Sequence, residues 1–265
     1  MAAPSPTGLG EPLAAIVDWW EVNARELPWR DSRDVYAIWV SEVMSAQTSV
    51  ARAGEAWKRW MARWPTVEDL AVAELADVLV QWQGLGYPRR ARDLHRSAGI
   101  VAADGWPQDL TELPGVGTYV AAAVRCFAYE EPVIPLDVNV RRVLARRFPE
   151  GVQIAADPWR SGQALMEFGQ RICAASPRCG DCPARPGCPA ADRGGPDPAP
   201  RTRRQAAYRG SLRERRGTLL ARVLRAGDVA VDDADREAAQ GLVADGLLAR
   251  SGGHLRPPSA PADPG

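Results

Sequence analysis

Leu113-Pro114-Gly115-Val116-Gly117 stands between two segments with the apolar period of a helix, Arg89 to Val101 and Tyr119 to Ala128. Two glycines within five residues permit a tight hairpin, and such a turn can aim backbone N–H groups outward at the start of the next helix. Amides presented in that way suit a nucleic-acid phosphate. Taken alone, the five residues also fit a plain Gly/Pro turn.

Upstream of the hairpin, Leu13, Ile16, Val17, Trp19 and Trp20 fit a helix that ends before Pro28. Further helical patterns run from Ile38 to Arg52, Ala53 to Arg63 and Val67 to Val80, separated by short Gly/Pro-bearing stretches such as Gly84-Leu85-Gly86-Tyr87-Pro88. Downstream, one helix is expected from Asp137 through Arg147 and another from Trp159 to Ile172. No series of alternating strand patterns accompanies them, so the body reads as all-α. Ala190 to Arg204, rich in Pro, Gly, Arg and Asp, reads as an exposed linker. Beyond it, Gly217 to Leu224 and Asp232 to Ala244 look helical, and Leu247 to Leu255 suits a small hairpin around Gly252-Gly253. That outline is winged-helix-like, with a plain helical tail as the alternative.

A chain of 265 residues, 46% apolar, can bury the core of one or two domains with a small appendage. The formal charge is zero, 33 basic against 33 acidic residues, which argues against a uniformly basic nucleic-acid binder. The arginines are bunched, however, at Arg141, Arg142, Arg146 and Arg147 and again from Arg201, Arg203 and Arg204 through Arg209, Arg213, Arg215 and Arg216. These bunches read as positive patches, or else as solvated helix faces. Lys58 is the sole lysine, so a Schiff-base mechanism has one candidate. Met1 to Pro12 is Ala/Pro/Gly-rich and the next apolar positions are interrupted by Asp18, Glu21 and Arg25. No export signal or membrane span is expected, and a cytoplasmic location follows.

Cys173, Cys179, Cys182 and Cys188 are spaced C-x5-C-x2-C-x5-C. In a reducing compartment, four thiols this close read as metal or cluster ligands; zinc and a [4Fe-4S] cluster both accept four thiolates. Cys126 lies in an apolar helix and reads as core. Two carboxylates stand out. Glu42, in Val40-Ser41-Glu42-Val43-Met44, interrupts an apolar helix, where a charge is costly without a partner or a cavity. Asp137 precedes a helix, as an N-cap does.

Several of these stretches, in this order, resemble the MutY family of adenine DNA glycosylases within the helix-hairpin-helix, endonuclease III superfamily. The hairpin is similar to that superfamily's LPGVG, Leu136 to Arg146 to LDxNVxRVLAR, and Ser41 to Thr48 to SEVMLQQT, with Ser45 and Ala46 in place of Leu and Gln. Leu27-Pro28-Trp29-Arg30 is similar to LPWR, and Gly84 to Arg92 to GLGYYxRAR with Pro88 for the second tyrosine. The cysteine run resembles that superfamily's cluster loop, although its first gap is five residues where six is usual. The match covers roughly Leu13 to Cys188.

The resemblance implies two helical lobes, a [4Fe-4S] cofactor, and a monofunctional glycosylase that releases adenine opposite 8-oxoguanine or guanine in double-stranded DNA, acting as a nucleoid-associated monomer. It assigns Glu42 to protonating the base and Asp137 to stabilising the sugar cation, with Asn139 and Tyr119 beside it. Tyr119 takes the place of endonuclease III's lyase lysine. Arg25, Leu27, Trp29 and Arg30 would line the adenine pocket. Gln47, Thr48 and Tyr87 would enter the duplex around the lesion, while Leu113, Gly115, Val116 and Gly117 grip its backbone.

The implied domains are an N-terminal helix (1–30) on the cluster lobe, a hairpin lobe (31–135), a cluster lobe (136–190), a linker (191–207) and a C-terminal appendage (208–265). That appendage is too short for the family's usual Nudix-like domain. Rival expectations are a thymine or uracil mismatch glycosylase and a non-catalytic binder of damaged DNA.

Overall fold

The computed structural model describes residues 10–154, 156–192, 196–200 and 207–258. Among them the chain forms α1 (Glu11–Asn23), α2 (Val35–Ser45), α3 (Val50–Arg63), α4 (Val67–Ala71), α5 (Leu75–Gln81) and α6 (Arg89–Asp104). After the hairpin come α7 (Thr118–Phe127), α8 (Val138–Arg147), α9 (Pro158–Arg171) and α10 (Pro189–Asp192). The C-terminal part holds α11 (Leu212–Ala226), β1 (Val229–Ala230), α12 (Arg236–Ala244), β2 (Ala249–Ser251) and β3 (His254–Arg256). Among the described residues the body is helical as expected, and strands occur only in the C-terminal appendage.

Two expected helices are each divided. Ile38 to Arg52 is α2 and the start of α3, because Gln47 adopts φ 57° and ends the first helix. Val67 to Val80 is α4 and α5, each packing separately on α6. The first is started by a capping box in which Thr66 Oγ1 accepts from the Asp69 amide and the Asp69 carboxylate accepts from the Thr66 amide.

The described residues fall into two compact units, divided at Trp39/Val40 and at Val116/Gly117: those of 10–39 with those of 117–200, and those of 40–116 with those of 207–258. In the first, α9 is the central helix, in contact with α1, α7 and α8. Its Gly162 and Gly169 let neighbours approach unusually closely. A Cβ at Gly162 would sit 2.8 Å from Cys126 Sγ on α7, and one at Gly169 would sit 2.8 Å from the Asn139 carbonyl oxygen on α8. On the α1 side, Trp19 meets Phe168 edge to face and Trp20 meets Trp159.

In the second unit, Trp60 packs edge-on against Trp64 and Trp82, at the centre of α3 and α5. The C-terminal strands form an antiparallel sheet in the order β1-β3-β2, packed on α11, with Leu255 of β3 fully buried. Helix, strand, helix and hairpin in that order match the winged-helix outline. Strand β1 is too short to show an alternating pattern in the sequence.

Gly169→Ala is expected to lose about 1–3 kcal/mol, since the obstruction is backbone and cannot swing aside. Gly99→Ala, in α6 with open space at the added methyl, should instead gain about 0.5–1 kcal/mol. Urea titrations of both variants measure the contrast; equal stabilities would mean that the α8–α9 approach is not a tight one.

Candidate active site and cysteine centre

Asp137 is the N-cap of α8, and its carboxylate is held from several sides. Oδ1 accepts from the amides of Asn139 at 2.8 Å and Val140 at 2.7 Å, and Oδ2 accepts from the Asn139 side-chain amide at 2.6 Å. Asn139 is oriented in turn by Arg142, which is 9% exposed and donates through both terminal nitrogens to Asn139 Oδ1 at 3.1 and 2.9 Å. The cap satisfies orphan amides of the helix start. It also holds a carboxylate in one orientation, as an electrostatic stabiliser requires. Tyr119 lies half-buried in the first turn of α7, which starts at its N-cap Gly117.

Arg25, Leu27, Trp29 and Arg30 lie on the connection after α1, with Trp29 buried. Both arginines grip Glu167 of α9. Oε1 of that carboxylate accepts from the Arg25 amide and Nε, each at 2.9 Å, and Oε2 accepts from Arg30 Nη2 at 2.8 Å. Arg171 adds a third guanidinium at 3.0 Å. Burial alone would raise the Glu167 pKa, but the Arg25 amide and the Arg25 and Arg30 charges outweigh it and hold the group below its ordinary value. Sequence reading missed Glu167, which lies 142 residues from Arg25 and carries no local signal.

In the other unit, Glu42 is 8% exposed on the buried stretch of α2, flanked by Ser41 at 1% and Met44 at 0%. Just past it, Arg90 acts as a hub. Its Nη1 donates to the carbonyls of Val43 at 2.7 Å and Ala46 at 2.6 Å, where α2 ends. Its Nη2 donates to Leu85 and Gly86 at 3.2 and 3.3 Å, and its guanidinium lies 5.3 Å from the Tyr87 ring centroid. Thr48 Oγ1 donates to the Leu85 carbonyl at 3.3 Å. The Gln47-Thr48 turn and the Tyr87 loop are therefore one assembly.

Gln47 at φ 57° and Tyr87 at φ 48° both hold left-handed backbone, which costs such residues about 1–2 kcal/mol. Strain of this kind persists where surroundings enforce it, and here Arg90 does so. At the hairpin, Gly115 has φ +77°, and a Cβ there would come 2.8 Å from Asp93 Cβ on α6. Leu113 and Val116 are buried, and Ser97 Oγ donates to the Pro114 carbonyl at 2.9 Å.

All four cysteines of the C-terminal run are clustered around one cavity of about 230 Å³, together with Phe168, Ile172 and Ala184. Arg146, at 5% exposure, holds the first gap of the loop by donating to the carbonyls of Cys173, Ala174 and Ala175 at 3.3, 2.6 and 3.3 Å. Arg147 holds a later turn through Ala184 O at 2.9 Å and Pro186 O at 3.3 Å. Burial pushes the Cys173 thiol pKa up, and the Arg146 guanidinium, 3.6 Å from Sγ, opposes that rise. Among the described residues no three His, Cys, Asp or Glu side chains are grouped to hold a metal ion, so the fit of these thiols rests on the cavity they share.

One expectation is corrected. The Arg141 to Arg147 stretch is not a positive patch, because Arg142 and Arg146 are buried and bonded internally, and Arg147 is turned onto the cysteine loop. In the stretch expected as an exposed linker, Pro196, Asp197 and Pro198 are exposed, and Asp197 forms a two-pronged pair with Arg146 at 2.9 and 2.5 Å. That bond holds the Asp197 pKa down at about 2. Of the second arginine bunch, Arg201, Arg203 and Arg204 lie outside the described residues, while Arg215 and Arg216 pair with Glu237 and Asp245.

A capped carboxylate after a glycine hairpin, on a helical body, defines the class of helix-hairpin-helix DNA repair proteins. Residues 40–154 match the model of the HhH-GPD superfamily base excision DNA repair proteins. The fold is shared with a solved thermostable thymine-DNA glycosylase, at a TM-score of 0.60 and 25% identity over 68% of this chain and 94% of that one. An endonuclease III trapped covalently on DNA gives a TM-score of 0.55 at 24% identity, covering 68% and 93%.

Within that class, the chain belongs to the adenine DNA glycosylase family. It is 40% identical to the adenine DNA glycosylase of Mycobacterium tuberculosis over 89% of this chain and 90% of that protein. Its identity to the Homo sapiens adenine DNA glycosylase is 37%, covering 68% and 39%. Among the described residues no helix is long and apolar enough to cross a membrane.

Glu167→Gln should cost about 1–3 kcal/mol at neutral pH, less than a fully buried ion pair would, because Arg25 and Arg171 are each 35% exposed. Because the folded-state pKa is depressed, the stabilisation is fully present above the ordinary value of 4.5 and is lost as pH falls through the lower folded value. Urea unfolding between pH 7 and 3 should show the wild type falling towards the variant at the acid end. Parallel curves would mean that the carboxylate contributes no charge-dependent stability.

Proposed function

We propose that this chain excises adenine mispaired with 8-oxoguanine or guanine in double-stranded DNA, hydrolysing the N-glycosidic bond without cutting the strand. The observation that carries the reading is the match to an adenine DNA glycosylase along nearly the whole of both chains, with Glu42 buried in α2 at the position that resembles the family's acid. Adenine is a poor leaving group until it is protonated, and Glu42 supplies the proton. Asp137, aligned by two backbone amides and Asn139, stabilises the positive sugar until water attacks C1′. Trp29 and its neighbours line the adenine pocket, with the hairpin amides on a phosphate.

The absence of strand cutting follows from Tyr119 at the lyase position and from the placement of Lys58. That single lysine lies on α3, 59% exposed and paired with Glu55. Gln47, Thr48 and Tyr87 enter the duplex, and the strained, braced backbone at Gln47 and Tyr87 supports that role.

The four cysteines are proposed to hold a [4Fe-4S] cluster. The cavity of about 230 Å³ that the four cysteines share with Phe168, Ile172 and Ala184 supports a cluster over a single zinc ion. When bound, the cluster would tie together four points of the loop from Cys173 to Cys188 and supply a redox-active group. A chain of this kind acts as a monomer on DNA in the cytoplasm.

Glu42→Gln is expected to slow single-turnover release of adenine by about two to four decades, the usual cost of a lost general acid. Near-normal release would remove Glu42 from the role. Duplexes carrying A opposite 8-oxoG, A opposite G, T opposite G and U opposite G separate the reading from its rivals. Release confined to the last two would establish a thymine or uracil glycosylase, and binding without any release would establish a non-catalytic binder. Borohydride should trap no covalent complex.

Purified protein should absorb in the visible and contain about four irons per chain. A colourless preparation with stoichiometric zinc would replace the cluster with a structural ion.

A further inference from the structure

We propose that Arg213, at the start of α11, is a positioning residue for Tyr87, so that the C-terminal appendage sets how the enzyme discriminates the base opposite the adenine. The proposal rests on the reading that Tyr87 enters the duplex on the opposite strand. Arg213 Nη1 donates to Tyr87 Oη at 3.2 Å, across 126 residues of sequence. The phenol is 38% exposed, its ring faces Arg90, and its backbone is held at φ 48°. The tyrosine is thus braced at its base by Arg90 and at its tip by Arg213.

The appendage is built to hold that arginine still. The N-cap Ser211 Oγ accepts from the Glu214 amide, and the Glu214 carboxylate accepts from the Gly210 amide at 2.6 Å, which fixes the first turn of α11. Helix α11 packs on α5. At the far end, Arg92 of α6 donates to the Asp245 carbonyl, while Arg89 and Arg216 pair with the Asp245 carboxylate. Gly246, at φ +63°, lies against Arg92. The appendage therefore grips the chain at Tyr87 itself and just beyond it, at Arg89 and Arg92.

A side chain that enters a base stack loses rotamer freedom on binding, and a ring already fixed by its hydroxyl has less to lose. Discrimination gains from this because a ring held in one plane can meet one purine edge well and another badly. The ligand is the purine-containing strand opposite the excised adenine, recognised by contact with its stacked bases.

The test compares Arg213→Ala, Arg213→Lys, Tyr87→Phe, Tyr87→Ala and the double variant Arg213→Ala with Tyr87→Phe, all in the full chain. The readout is the ratio of single-turnover rates for A opposite 8-oxoG and A opposite G, with thermal midpoints as a check on folding. Loss of one neutral-acceptor hydrogen bond should reduce that ratio about five- to tenfold in Arg213→Ala and in Tyr87→Phe. The double variant should fall no further than either single one, and Arg213→Lys should recover part of the ratio.

Additive losses, or an unchanged ratio in Arg213→Ala alongside a collapse in Tyr87→Ala, would overturn the positioning role and leave the reading of Tyr87 standing. An unchanged ratio in Tyr87→Ala would overturn both. A loss in Arg213→Ala that is equal for every duplex, undamaged DNA included, would make the residue a phosphate contact and sink the proposal.

Discussion

At Gly169 the backbone of α8 comes so near α9 that a methyl group would sit 2.8 Å from the Asn139 carbonyl oxygen, and this approach sets the geometry of most of one unit. Asn139 is the residue that orients Asp137, so the spacing of two helices determines where a carboxylate points. The residues beside Gly169 anchor the neighbouring parts. Glu167 gathers Arg25, Arg30 and Arg171, and Phe168 lines the cysteine cavity. Three consecutive residues of one helix thus serve the pocket segment, the cysteine centre and the capped aspartate. A shift of α9 would be felt at all three, because packed interiors transmit displacement instead of absorbing it.

The second unit is organised by a charge. Arg90 reaches four backbone carbonyls, two where α2 runs out into the Gln47 loop and two in the Tyr87 loop, and lies beside the rings of Tyr87 and Trp82. Burial pulls its pKa down, yet an arginine starts so high that it stays charged. The two left-handed residues proposed to enter DNA, Gln47 and Tyr87, sit one on each of these loops. The bonds of a single guanidinium therefore oppose the strain stored at both.

Much of this was legible in the sequence wherever the signal was local. The hairpin glycines, the helical periods of α1, α6, α7 and α9, the cysteine spacing and the cap at Asp137 are all properties of a few adjacent residues. What was hidden depends on partners far along the chain. Glu167 looks like any helical glutamate, and Arg90 like one more basic residue in Pro88-Arg89-Arg90-Ala91-Arg92. The break at Gln47 was invisible because the pattern stays compatible with a helix through Arg52, and only the carbonyls taken by Arg90 reveal why α2 stops. The arginines of α8 were misread for the same reason. A run of charge suggests a surface, and nothing in the run announces that carbonyls of the cysteine loop await Arg146 and Arg147.

Two internal hubs show why arginine and not lysine stands at those positions. Arg90 serves four carbonyls, and Arg146 serves three carbonyls, a thiol and the carboxylate of Asp197. A planar fork with five donors can satisfy such a set at once, whereas an ammonium with three donors on a flexible stem leaves carbonyls unpaired. Substituting lysine at either hub would strand buried acceptors at a cost of about 1–3 kcal/mol each. These guanidiniums are spent on internal carbonyls and on carboxylates, so a chain with 33 basic and 33 acidic residues has fewer cations free for its surface than its arginine count suggests. In the proposed function the grip on a duplex falls to directed groups, the backbone amides at the hairpin and braced side chains such as Tyr87. The arginine-held loops would then keep in place the few groups proposed to meet the DNA, with Arg90 bonded to the carbonyls on both sides of that assembly.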